Sequence, residues 1–251
     1  MNPVLELHNV KKNRHGSEGT PLFANVSAQI AEPAIVALLG VSGQGKSTLL
    51  RMIAALDNAD EGHIRLHNVS RREMDARQWR MKVCYVAQQS VMLQGSIEQN
   101  LKTVSLLHRI PYEDKLVQHL LPRLGLAHLD LSKSADRLSG GEKQRISLLR
   151  SLLLHPAVLL LDEITASLDR GSKEMVEQVL QEWHHQEGTT IIMVTHDFEQ
   201  ARQMSKAVWF MGEGTLLENS ETAAFFEHPS SELARQYIMQ PPLQKEQPCP
   251  S

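Results

Sequence analysis

Cysteine is almost missing from this chain. Cys84 lies in an apolar run that reads as a strand and Cys249 in a polar tail, which excludes a disulfide framework and fits a reducing compartment. A dominant sign of charge is missing as well: 26 Lys and Arg stand against 29 Asp and Glu, a net charge of −3. That balance gives no electrostatic reason to expect nucleic acid as a partner. The local basic run RREMDARQWRMK, residues 71–82, reads as a solvated helix face rather than a phosphate track. Long hydrophobic runs are absent too. The most apolar stretch, SLLLHPAVLLL, is broken by His155 and Pro156 and falls short of the roughly 20 residues that span a bilayer. The opening MNPVLELHNV has no charged segment leading into an apolar one, so no signal peptide is expected. Any service to a membrane is therefore expected to run through another polypeptide. Neither repeats nor an extreme Pro plus Gly content point to a fibrous or disordered chain. Twelve histidines are present, but neither His184 with His185 nor His63 with His67 has a Cys or carboxylate partner at a metal-ligand spacing.

What is present is a definite order of elements. Leu5 to Val10 and Phe23 to Ile30 alternate apolar with polar residues, as antiparallel strands joined by the turn-rich KKNRHGSEGTP would. AIVALLG reads as a buried parallel strand and GKSTLLRMIAAL as the helix after it. EGHIRLHNVS returns to short strands, and KVCYVAQ is another buried one. Residues 89–154 change character, being Leu-rich, helical and punctuated by Pro111, Pro122 and Gly125, as an inserted subdomain would be. AVLLLDE and TTIIMVTH resume the parallel pattern across the helix GSKEMVEQVLQEWHHQ, and the sheet is expected to close there.

The stretch GVSGQGKST carries the strongest local chemistry. Gly40, Val41, Ser42, Gly43, Gln44, Gly45, Lys46, Ser47 and Thr48 fit G-x-x-x-x-G-K-[ST] and stand where that motif must, after a strand and opening a helix. Their backbone N–H groups would cradle β and γ phosphates, Lys46 would neutralise them and the Ser47 hydroxyl would hold Mg²⁺. The expected fold class is thus α/β: a P-loop NTPase (RecA-like) core, an N-terminal antiparallel β subdomain and an inserted α-helical subdomain. The core is expected over 1–88 and 155–218, the helical insertion over about 89–154, a C-terminal helical extension over 219–240 and a disordered tail over 241–251. Asp162, ending a buried strand, would support the metal ion through water, and Glu163 would polarise the attacking water as a general base. A second anion site stands in LSGGEKQR, where Ser139, Gly140 and Gly141 open a helix with a hydroxyl and bare N–H groups.

Six motifs in order, GVSGQGKST, Gln88 in YVAQQ, LSGGE, LLLDE, SLD and THD, resemble the full set of an ABC-type ATPase cassette over residues 4 to about 218. The resemblance implies ATP and Mg²⁺ as cofactors. It implies a head-to-tail pair in which Ser139, Gly140 and Gly141 of one copy close over the γ-phosphate held by the other. It also implies that Gln88 touches Mg²⁺ and senses the γ-phosphate, that His196 clamps that phosphate and the water, and that Asp169 signals across the dimer. One departure stands out: Lys12 occupies the place where the family carries an adenine-stacking aromatic, leaving Arg14 or His15 to stack instead. A stand-alone cassette with only 91 residues between Ser47 and Ser139 is unlike the long-armed chromosome ATPases. It resembles the ATPase subunit of a bacterial transporter, peripheral to the cytoplasmic face of the inner membrane and partnered by a separate permease. QQSVMLQGSIEQNL is similar to exporter cassettes and SETAAFFEHPSSELARQYI to importer ones. That mixture is most like the small Fet-type ATPases of iron export, with phosphate or amino-acid importers, or a regulatory or repair ABC ATPase that has no permease, as the alternatives.

Overall fold

The computed structural model describes residues 2–14 and 19–239; His15, Cys249 and the 241–251 tail lie outside the described residues. Strand β1 (Leu5–Asn13) pairs antiparallel with β2 (Pro21–Ile30) and β4 (Glu61–Leu66), and β5 (Val69–Ser70) completes a sheet of order β2-β1-β4-β5. Alternation along β1 puts Leu5, Leu7 and Val10 into the core.

A second, six-stranded sheet carries β3 (Ile35–Gly40), β6 (Val83–Val86), β7 (Val158–Asp162), β8 (Thr190–Val194), β9 (Ala207–Gly212) and β10 (Thr215–Glu221). Its order is β10-β9-β3-β8-β7-β6, parallel except for β10. Both faces are covered, so the strands read as continuous apolar runs. Ile35, Ala37 and Leu39 face one core, while Val36 and Leu38 face the other, beneath the antiparallel sheet. The expectation that the sheet closes with TTIIMVTH is overturned: β9 follows β8 in sequence and docks on the far side of β3, and β10 extends that edge. VWFMG is as apolar as a helix core could be, and only its register against β3 identifies it as a strand.

Helix α1 (Lys46–Ile53) follows β3 directly, and α2 (Ala76–Lys82) precedes β6. The basic run around α2 is more than a solvated face, because Trp79 within it is fully buried and its indole N–H donates to the Ile53 carbonyl at 2.7 Å. The stretch between β6 and β7 holds α3 (Ile97–His108), α4 (Asp114–Arg123) and α5 (Gly140–Leu152). Helix α6 (Arg170–Glu187) crosses between β7 and β8, and α7 (Phe198–Met204) follows β8. Helices α8 (Thr222–Glu227) and α9 (Glu232–Met239) fold back on the core through Phe225, Ala234 and Tyr237. Among the described residues no helix is long and apolar enough to cross a membrane.

Candidate active site

Four parallel strands deliver their chemistry to one edge, the carboxyl ends, as open α/β sheets do. Strand β3 ends in the loop 40–45, β6 leads to Gln88, β7 ends on Asp162 and Glu163, and β8 leads to His196. The loop turns sharply into α1 at Gly45, whose φ of 90° is left-handed; a Cβ there would also come within 2.7 Å of the Phe23 ring. Lys46 is 6% exposed and folds back, its ammonium donating to the carbonyls of Gly40 at 2.7 Å and Val41 at 3.0 Å. Burial pushes its pKa down, against the opposing pull of Glu163 and Asp162. Gln44 accepts from the Gly214 N–H at 3.1 Å, so the turn between β9 and β10 braces the loop. Val41, Ser42, Gly43 and Ser47 are exposed at its mouth, with Thr48 half-buried.

The carboxylates lie directly against this loop. The Ser47 hydroxyl donates to Asp162 Oδ1 at 2.9 Å, and Asp162 is buried. Glu163 takes a left-handed backbone, φ 51°, which a glutamate adopts at a cost on the order of 1–3 kcal/mol, and such strain gathers at functional sites. Its two carboxylate oxygens are gripped from sequence-distant elements: Gln88 Nε2 donates at 2.8 Å and His196 Nε2 lies at 3.0 Å. Lys46, Ser47, Gln88, Asp162, Glu163 and His196 thus form one cluster.

Ser139, Gly140, Gly141 and Asp169 form a separate one. Ser139 caps α5 through a reciprocal pair, its hydroxyl accepting from the Glu142 N–H at 3.3 Å and its own N–H donating to Glu142 Oε2 at 2.7 Å. Buried Arg145 donates to the Gly141 carbonyl at 3.2 Å and to Ser172 Oγ at 2.9 Å. The Ser172 hydroxyl and N–H in turn hold the Asp169 carboxyl below the usual carboxylate range. Among the described residues no hydrogen bond joins this cluster to the phosphate loop. Among the described residues, nothing beyond its chain neighbours and the helix's own backbone comes within 4 Å of a Cβ built on Gly140, so the fold leaves that helix end open there.

The profile of the ABC transporter family matches residues 23–166, more than half of the chain. The chain belongs to that family. It is 35% identical over 237 residues to YjkB of Bacillus subtilis, provisionally described as an ABC transporter ATP-binding protein, covering 94% of each. It is 30% identical to the phosphate import ATP-binding protein PstB of Thermotoga maritima, over 95% of this chain and 98% of that one. Among solved structures, the dimeric ATP-binding cassette MJ0796, in a post-hydrolysis state bound to ADP and Pi, superposes with a TM-score of 0.77 at 26% identity over 87% of this chain and 98% of that one. CbiO1 of Clostridium perfringens, part of the transporter complex cbiONQ, gives 0.78 at 26% identity over 96% of both chains. The cassette has the ABC ATPase fold and is an ATPase.

Two residues of the cassette's site escape sequence reasoning. Tyr85 donates its hydroxyl to Asp162 Oδ2 at 2.8 Å, giving that carboxylate a second donor, and burial pushes the phenol's pKa up. Strand alternation could have found it, since Cys84 and Val86 turn the other way into the core. Gln144, in helix α5, donates to the Ala87 carbonyl at 2.9 Å and accepts from the Ser90 hydroxyl at 2.7 Å, tying α5 to both sides of Gln88. No local signal marks it.

Proposed function

We propose that this protein is the ATP-hydrolysing subunit of a bacterial transporter, driving a separate membrane permease from the cytoplasmic face of the inner membrane. The observation that carries the catalytic part is the grip of Gln88 and His196 on Glu163 beside the buried Lys46. Loop N–H groups and Lys46 bind the β and γ phosphates of ATP, and Glu163 takes a proton from the attacking water. Gln88 and His196 orient Glu163 and, with nucleotide bound, turn to the γ-phosphate. Ser47 Oγ and Asp162 Oδ1, with the Gln88 amide, are the hard oxygen donors that Mg²⁺ prefers; the ion would offset phosphate charge there. Two copies pair head to tail, and the open helix end at Gly140 receives the partner's nucleotide, with Asp169 at the boundary.

The Glu163→Gln variant tests this reading. It should bind MgATP, form an ATP-dependent dimer in gel filtration and hydrolyse at least about a hundredfold more slowly, as loss of a general base requires. Wild-type turnover would remove Glu163 from the role.

The permease docks near residues 88–100, where Val91 and Leu93 are 72% and 48% exposed. The exporter-like spacing of residues 88–101 lies beside Gln88, where nucleotide state passes to the permease, and supports export of iron or another metal ion in the manner of the Fet-type group. A second reading, import of phosphate or an amino acid, is supported by the importer-like tail and by relatives named for phosphate and methionine import. Deleting the gene should raise intracellular iron, and Lys46→Ala should fail to restore it. Unchanged iron with lost phosphate or amino-acid uptake would establish the import reading instead.

A further inference from the structure

Asp162 ends β7 at 4% exposure, and two different elements hold its two oxygens. Ser47, in the first turn of α1, donates to Oδ1 at 2.9 Å, and Tyr85 on β6 donates to Oδ2 at 2.8 Å. The pairing of the parallel strands explains the reach of the tyrosine: Tyr85 stands opposite Leu160, and Asp162 lies two residues further along, on the same face as Leu160. A side chain as long as tyrosine's spans that diagonal. The ring packs, with Leu160, into the core that holds Leu49 and Leu50 of α1. Phenylalanine would fill that space equally well, so packing leaves the hydroxyl without a reason. The buried carboxylate supplies one, because it needs donors and because the terminal torsion of an aspartate is broad, so that a single hydrogen bond holds its plane only loosely. A donor on each oxygen fixes it. Ser47 Oγ is itself one of the oxygens assigned above to Mg²⁺, whereas among the described residues the Tyr85 hydroxyl makes no other hydrogen bond.

We propose that Tyr85 is a positioning residue for the Mg²⁺ that accompanies ATP, its hydroxyl holding the Asp162 carboxylate in the orientation that keeps Oδ1 beside the Ser47 oxygen. It acts through Asp162 alone. The strand that carries it also leads to Gln88, three residues on, so β6 supplies both that amide and the support of the carboxylate. Partners that orient a metal's donors from one step away are worth about 10–100-fold in metal affinity. This inference rests on the reading of Ser47 and Asp162 as the metal's site.

Equilibrium titrations of AMP-PNP, a non-hydrolysable ATP analogue, with Mg²⁺ and with EDTA test it in Tyr85→Phe, which keeps the ring and removes only the hydroxyl. The ratio of the two affinities measures what the ion adds, independently of turnover. We expect that ratio to fall about tenfold with affinity in EDTA unchanged, and the Mg²⁺ concentration at half-maximal ATPase to rise about tenfold while kcat at saturating Mg²⁺ is retained. Asp162→Asn should lower the ratio by itself, and adding Tyr85→Phe to it should lower the ratio no further, because the group it acts through is gone. A wild-type ratio in Tyr85→Phe, or an equal loss in both backgrounds, would overturn the proposal. So would equal losses with Mg²⁺ and with EDTA, the mark of a general disturbance of the phosphate loop. Val86→Ala, which loosens the neighbouring position of β6 without touching a hydroxyl, is the packing control, and a matching fall in the ratio there would also overturn it. Failure of the metal-site reading shows separately, as a wild-type ratio in Asp162→Asn, and would take this inference with it.

Discussion

Lys12 illustrates how a single side chain can be claimed by its neighbours before any ligand arrives. It stands where the family resemblance places an adenine-stacking aromatic, but it is 8% exposed, and its ammonium donates to Asp57 Oδ1 at 2.8 Å and to the Asn58 carbonyl at 2.9 Å. Burial opposes ionisation of Asp57, yet Lys12 and the Asn58 N–H outweigh it and hold that carboxyl below the usual range. Pulling Lys12 out to meet a base would strand a half-buried carboxylate, so the base gains nothing from it. Arg14, two residues on, is exposed at the strand end, and His15 lies outside the described residues. With no stacking ring in place, ATP and GTP should bind with affinities within about tenfold, or 1.4 kcal/mol, in equilibrium titrations. A strong preference for ATP that disappears in Arg14→Ala would assign the contact to that guanidinium.

Helix junctions carry a different kind of coupling. His155, in the turn between α5 and β7, has a left-handed φ of 43° and bridges two helix ends: Nδ1 lies 3.0 Å from Glu187 of α6 and Nε2 2.9 Å from Glu113, which precedes α4. Donating to both carboxylates requires both ring nitrogens to carry protons. Burial opposes that charge, but Glu187 and Glu113 outweigh it and raise the pKa above its ordinary value. A raised folded-state pKa contributes stability in full below the unfolded value of about 6.5, and that contribution is lost as pH rises through the folded value. Thermal melts should therefore show Tm falling as pH is raised from about 6 to about 8, with the slope reduced in His155→Gln. An identical slope in the variant would discard the bridge as the cause.

The whole molecule is organised so that one edge of the six-stranded sheet gathers Lys46, Gln88, Glu163 and His196 while the Ser139 end of α5 stands apart from it. On the proposed head-to-tail pairing, the dimer can then be cut without touching the phosphate loop. Ser139→Arg puts a long cation at the exposed helix end. It should abolish hydrolysis and the ATP-dependent dimer while leaving nucleotide binding to the monomer nearly intact, by titration. Lys46→Ala should do the reverse and weaken binding itself, since a buried cation facing triphosphate is lost. Equal collapse of monomer binding in Ser139→Arg would refute the trans-acting reading.

Contiguous residues were enough to place the phosphate loop, the Asp162–Glu163 pair after a buried strand, and the crossover helix between β7 and β8. Each depends on periodicity or spacing within one short window, and the loop's own backbone supplies the acceptors for Lys46. Strand order was not legible, because β9 is chosen by its fit beside β3 across more than 160 residues and not by anything within VWFMG. The same holds for the grip of Gln88 on Glu163, 75 residues apart, and for the brace from Gly214 to Gln44, 170 residues apart. A hydrogen bond between such groups depends on where the sheet carries each strand end. That placement comes from burying apolar faces throughout the molecule, a cooperative property that no local stretch of sequence displays.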